Sequence, residues 1–84
     1  MKVPEVNRGQ AQVLLARLKK EYKMSQRDVA EYCGVNQCVV NKWANGSYVA
    51  SGANLDKMRE ALVLLAGRNV RYPRQALDIL MGRE

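Results

Sequence analysis

The sequence contains no histidine, so it lacks both the commonest general base near neutral pH and the commonest metal ligand. Its two cysteines, Cys33 and Cys38, are too few for a zinc site without other ligands, and too few for a disulfide-stapled secreted scaffold. Reduced thiols and a cytoplasmic location are expected. The longest purely apolar run, Ala61–Ala66, falls far short of the roughly 20 residues a membrane-spanning helix needs. No apolar stretch follows Met1-Lys2-Val3-Pro4-Glu5, so no secretory leader is expected. Paired carboxylates and a phosphate-cradling glycine loop are also missing, which leaves an enzyme without a constellation to work with. The chain's 84 residues suit one small core, with no room for a cofactor or effector domain. No cofactor and no metal are expected.

What the sequence does hold is positive charge. Fourteen Lys and Arg stand against eight Asp and Glu, giving a net charge of +6 and a pI near 9.7. Such a surplus on so small a body favours a polyanionic partner, either nucleic acid or an anionic membrane surface. The basic residues are unevenly spread. Residues 24–50 carry no net charge, because Arg27 and Lys42 offset Asp28 and Glu31, so the surplus lies in the two flanks.

Residues 1–7 contain a proline and no periodicity, and read as an arm. From Arg8 to Lys23 the apolar residues Ala11, Leu14, Leu15, Leu18 and Tyr22 recur at helical spacing. Lys19, Lys20 and Lys23 crowd the last turn, where cations either complement the carbonyl end of the helix dipole or meet phosphate. Ser25 with Asp28 three residues on makes a capping box. It opens a short second helix with Val29, Ala30 and Cys33 on its apolar face. Gly34 can take the left-handed conformation that ends a helix, and Asn36 is a good N-cap for the next. Two helices joined by so few residues must cross steeply, as in a helix-turn-helix.

The third helix, from Asn36 to about Asn45, divides into two faces when its residues are placed at about 100° steps. Val39, Val40, Trp43 and Ala44 fall on one side; Gln37, Cys38, Asn41, Lys42 and Asn45 fall on the other, with no acid among them. Gln37 can pair bidentately with adenine, and Lys42 can donate to guanine or simply meet phosphate. Asn41 can read a base or a phosphate. Cys38 either touches a thymine methyl or is tolerated filler. Asn45-Gly46 stops the helix, and residues 47–53 form an uncharged loop. Asn54 is expected to cap a fourth helix reaching about Ala66, with Leu55, Met58, Ala61, Leu62 and Leu65 inward. Pro73 begins a last segment with Ala76, Leu77, Leu80 and Met81 along one stripe.

The run Ser25-Gln26, Ala30, Gly34-Val35-Asn36, Val40, Trp43 and Asn45-Gly46, at this spacing, resembles the helix-turn-helix of Cro/C1-type repressors, the Xre family. The resemblance spans roughly residues 8–66. It implies an all-α, lambda-repressor-like bundle of five helices whose third helix enters the DNA major groove. It further implies that Gln26 fixes a phosphate, that Gln37, Cys38 and Lys42 face base edges, and that Asn45 approaches the backbone. Arg27, Asn36 and Ser47 are expected to join Gln26, Asn45 and the three lysines at phosphates, and Asn41 to join the base-reading set. The expected division is an arm at 1–7, a DNA-binding domain at 8–66 and a C-terminal helix at 67–84. That helix either closes the core of its own chain or pairs Tyr72, Leu77, Leu80 and Met81 with their copies in a second subunit. A dimer is favoured because one small module makes few phosphate contacts, whereas specific operator binding usually needs two half-sites. The expectation is a repressor binding double-stranded DNA as a homodimer on a palindromic operator. The alternative is an antitoxin-type module whose tail holds a protein partner while the helix-turn-helix regulates its own gene.

Overall fold

Five α-helices make up the regular structure of residues 5–83, the residues described by the computed structural model. The first, α1 (Glu5–Tyr22), buries Ala11, Leu14, Leu15 and Leu18, the expected stripe. It starts earlier than expected and takes in residues 5–7 of the anticipated arm; residues 1–4 lie outside the described residues. The helix ends one residue early because Lys23 turns left-handed, at φ 60°. Its N–H still reaches the Lys19 carbonyl at 3.0 Å, and the Met24 N–H reaches that of Leu18 at 3.2 Å. This bend tucks Met24 into the core.

The next helix, α2 (Gln26–Cys33), opens with both bonds of the capping box in place. The Asp28 N–H donates to Ser25 Oγ and the Ser25 N–H to Asp28 Oδ2, each at 3.2 Å. Gly34, at φ 73°, closes the helix, and the Val35 N–H returns to the Ala30 carbonyl at 3.0 Å. After Asn36 the chain enters α3 (Gln37–Asn45), so the short connector expected between the two helices is present, and α2 and α3 pack against each other. Ala30 is buried, and a small side chain there lets the two helices approach.

The fourth helix, α4 (Gly52–Leu65), is capped by Ser51 rather than Asn54, as Ser51 Oγ accepts the Asn54 N–H at 3.3 Å. A hydroxyl three residues before Asn54 supplies the same bond from one turn further out, which brings Gly52 and Ala53 into the helix. Leu55, Met58, Ala61, Leu62 and Leu65 are buried as expected. The short α5 (Gln75–Leu80) follows Arg74, which itself holds a left-handed φ of 70°. Leu77 is fully buried, so its place in an expected dimer contact is corrected: it fills the core of its own chain. Ala76 joins it there, Leu80 is half-buried, and Tyr72 and Met81 are exposed.

The core unites all five helices. Leu18, Met24, Val29, Val40, Met58, Leu65 and Leu77 are its most fully enclosed side chains, with Trp43 only 3% exposed. α1 and α4 pack together, as do α2 and α3, while α5 lies against α2 and α4. Burying one such aliphatic side chain stabilises the fold by roughly 1.5–3 kcal/mol. Because α3 contributes both Val40 and Trp43, its orientation is set by the same contacts that hold the bundle together.

Candidate nucleic-acid interface

With Val40 and Trp43 inward, the opposite face of α3 points away from the body. Gln37, Cys38, Asn41 and Asn45 are exposed, and Lys42 is half-buried. No acidic residue lies on this helix. Its C-terminal end is fastened from outside: Gln12 Nε2 on α1 donates to the Ala44 carbonyl at 3.0 Å. Gly46 makes the exit turn at φ 83°, and a Cβ there would lie 3.4 Å from that same Gln12 amide.

A cleft of about 420 Å³ runs between α1 and the α2–α3 pair, lined by Gln12, Leu15, Lys19, Ser25, Gln26 and Gln37 among others. A second hollow of about 330 Å³ is bounded by Gln26, Gln37, Cys38 and Asn41. The two hollows share Gln26 and Gln37. The structure thus brings together one cation (Lys19), the first residue of α2 and the outer face of α3.

Electrostatics favour the same side. Lys19, Lys20, Lys23 and Arg27 make no ion pair among the described residues. Arg17 and Arg59 instead pair with Glu21 and Asp56 on their own helices, at 3.0 and 2.9 Å. Arg74 and Arg83 are held by Glu31 at 2.7 and 2.8 Å. Part of the basic surplus is therefore neutralised within the chain. Lys19, Lys20, Lys23 and Arg27 lie at the end of α1 and the start of α2, and Lys19 among them lines the cleft; Lys57 on α4 and Arg71 ahead of α5 also lack an ion pair among the described residues.

Two expected contacts are modified by local bonding, and a third residue lacks the local bond expected of it. Asn45 Oδ1 accepts the Ser47 N–H at 2.9 Å, leaving its amide nitrogen as the group able to donate outward. Asn36 stands at the N-cap of α3 but makes no capping bond with its side chain. Lys42 Nζ donates to the Tyr48 hydroxyl at 3.2 Å and lies 4.5 Å from the centre of that ring. Tyr48 was not among the expected site residues. Its position follows from the Asn45-Gly46 turn, since the Ser47 and Tyr48 N–H groups both donate to the Lys42 carbonyl, at 2.9 and 3.2 Å. The tyrosine holds the ammonium near the C-terminal end of α3, away from Gln37.

The two thiols differ sharply. Cys38 is exposed on the outer face of α3. Cys33 is half-buried against the core, and that burial pushes its thiol pKa up, with Lys57 offsetting only part of the effect. No described helix is long and apolar enough to cross a membrane. The C-terminal residues expected in a subunit contact lie apart from this face, on and around α5.

Compared with known proteins, residues 15–62, more than half of the chain, match a helix-turn-helix family model. The match begins within α1 and ends within α4, and it contains the whole of α2 and α3. No curated protein and no solved structure matches the chain.

Proposed function

The chain belongs to this helix-turn-helix family, of the Cro/C1 type, whose members are DNA-binding transcription regulators, and from that premise we propose that it is a repressor binding a palindromic operator as a homodimer. The observation that carries the reading is the outer face of α3. It is exposed, free of acids, rich in amides, and bordered by a cleft that holds Lys19 and Gln26. A phosphate backbone repels carboxylates and attracts unpaired cations, while base edges in the major groove are matched by amide side chains.

In this reading Gln37 pairs with adenine, and Asn41 and Cys38 line the groove beside it. Gln26, at the start of α2, donates to a phosphate. Lys19, Lys20, Lys23 and Arg27 flank the backbone on one side, and Asn36, Asn45 and Ser47 on the other. Lys42, braced by Tyr48, donates to a guanine edge further along the helix. Two copies joined through the surface around α5, with Tyr72, Leu80 and Met81 at the contact, would place two copies of α3 about 34 Å apart, one turn of duplex. Occupying a site that overlaps a promoter then blocks transcription.

Selection of bound sequences from random duplexes tests the reading. An inverted repeat with half-sites one helical turn apart is expected. In competition binding, Gln37→Ala should lower affinity for the selected duplex by about 5–150-fold, corresponding to the roughly 1–3 kcal/mol of one bidentate base contact. Affinity for random duplex should be unchanged. Equal loss on both duplexes would remove Gln37 from the base-reading set.

A further inference from the structure

Two carboxylates stand one turn apart on α2, and both face the C-terminal segment. Asp28 is 3% exposed, the only charged residue buried among the described residues. Its Oδ2 closes the capping box with the Ser25 N–H at 3.2 Å, while its Oδ1 lies 3.5 Å from Arg74 Nε. Glu31 accepts Arg74 Nη2 on one oxygen at 2.7 Å and Arg83 Nη2 on the other at 2.8 Å. One guanidinium therefore touches both acids, and a second completes the group.

We infer that Arg74 is a positioning residue for DNA binding, which acts through Asp28 and Glu31 to set the first turn of α2 and, with it, Gln26. The inference rests on the reading above that Gln26 contacts phosphate. Exposed ion pairs usually contribute little, but two observations separate this cluster from an ordinary surface pair. A buried carboxylate depends on its partners, and Asp28 has only the capping box and Arg74. Arg74 also holds a left-handed backbone conformation, which a residue with a side chain keeps only where its surroundings enforce it. Here those surroundings include the two acids that its guanidinium reaches. Gln26 directly follows the Ser25 cap and lines the cleft with Lys19 and Gln37. The turn that Asp28 and Arg74 brace is thus the one from which Gln26 projects. The tail, more than 40 residues further along the chain, becomes part of the DNA-binding apparatus without touching DNA.

Arg74→Gly tests this, because glycine takes the observed φ freely while the guanidinium is removed. Affinity for the selected duplex is measured for Gln26→Ala, Arg74→Gly and the double variant at one salt concentration, with circular dichroism reporting the folded fraction. Each single change should weaken binding by about fivefold or more, and the double variant should be no weaker than the weaker single. Arg74→Lys, which keeps the charge but loses the two-pronged geometry, should fall between parent and Arg74→Gly. An unchanged affinity in Arg74→Gly, or losses that multiply in full, would overturn the coupling alone. A Gln26→Ala protein that binds like the parent would refute the phosphate role of Gln26, and the coupling with it. If Arg74→Gly loses helical signal, Arg74→Lys carries the same comparison in the folded state. A loss that disappears in the Gln26→Ala background supports the inference, and an additive loss or none refutes it.

Discussion

The division of the basic residues into paired and unpaired sets can be read directly from the salt dependence of DNA binding. Each phosphate neutralised by a protein cation releases condensed counterion, so log Kobs falls with log salt at a slope of about −0.9 per contact on duplex DNA. Lys19, Lys20, Lys23 and Arg27 make no ion pair among the described residues and lie at the end of α1 and the start of α2, where Lys19 lines the cleft. Four contacts predict a slope of about −3.6 for one subunit, and eight predict about −7 for a dimer. Raising salt fourfold should then lower affinity roughly 150-fold for a monomer and about 10⁴-fold for a dimer. Lys23→Ala removes one contact per subunit and should flatten the dimer slope by about 1.8. Arg59→Ala should leave the slope unchanged, because Asp56 at 2.9 Å already balances that charge. Fluorescence anisotropy on a labelled selected duplex, at several salt concentrations, supplies both slopes. If Arg59→Ala flattens the slope as much as Lys23→Ala, the division into paired and unpaired cations is wrong. A parent slope near −3.6 would instead count against two subunits sharing one site.

Three further outcomes are expected. Iodoacetamide should modify Cys38 quickly and Cys33 slowly, since burial raises the Cys33 thiol pKa, and the selected duplex should protect Cys38; mass spectrometry showing equal Cys38 labelling with and without duplex would take that residue out of the groove. Trp43→Ala should cost about 3–5 kcal/mol against a total of roughly 4–13 kcal/mol for a chain this short, lowering Tm by about 15 °C or more; a melt within a few degrees of the parent would show that Trp43 does not anchor α3. Hydrogen bonding from Arg83, and then Arg74, holds the Glu31 carboxyl below its ordinary value of 4.5. Its contribution to stability is therefore complete above that value and lost as pH falls from there through the lowered folded value. Glu31→Gln should accordingly lower Tm near neutrality and lose less Tm than the parent across that acid window, and parallel profiles for the two proteins would contradict the assignment.

The local signals in the sequence translated well. Ser25 and Asp28 formed the expected capping box, Gly34 and Gly46 took left-handed turns, and Val40 and Trp43 separated from Gln37 and Asn41 across α3. Each of these depends on residues within one or two turns of each other, where periodicity and capping chemistry are legible. Contacts across long separations were not. Nothing near Gln12 announces that its amide serves a carbonyl 32 residues away, and nothing near Glu31 announces partners 43 and 52 residues away. Met24 was missed for a different reason: it sits between helices, where a 3.6-residue period has no purchase, and an unusual backbone turn at Lys23 brings it inward. Leu77 was misassigned because an apolar stripe reads alike whether it faces its own core or a second chain.

The bond from Gln12 to the Ala44 carbonyl has a kinetic meaning. It ties the far end of α3 to the longest helix of the bundle, while the Val35 N–H bond to the Ala30 carbonyl fastens the connector that leads into its near end. A helix fastened in this way is expected to meet a duplex with its backbone already ordered. Encounter then needs orientation but no refolding, so association should follow the single-exponential, ionic-strength-sensitive course of two rigid bodies. Discrimination between sequences should be expressed in how long the complex lasts rather than in how fast it forms.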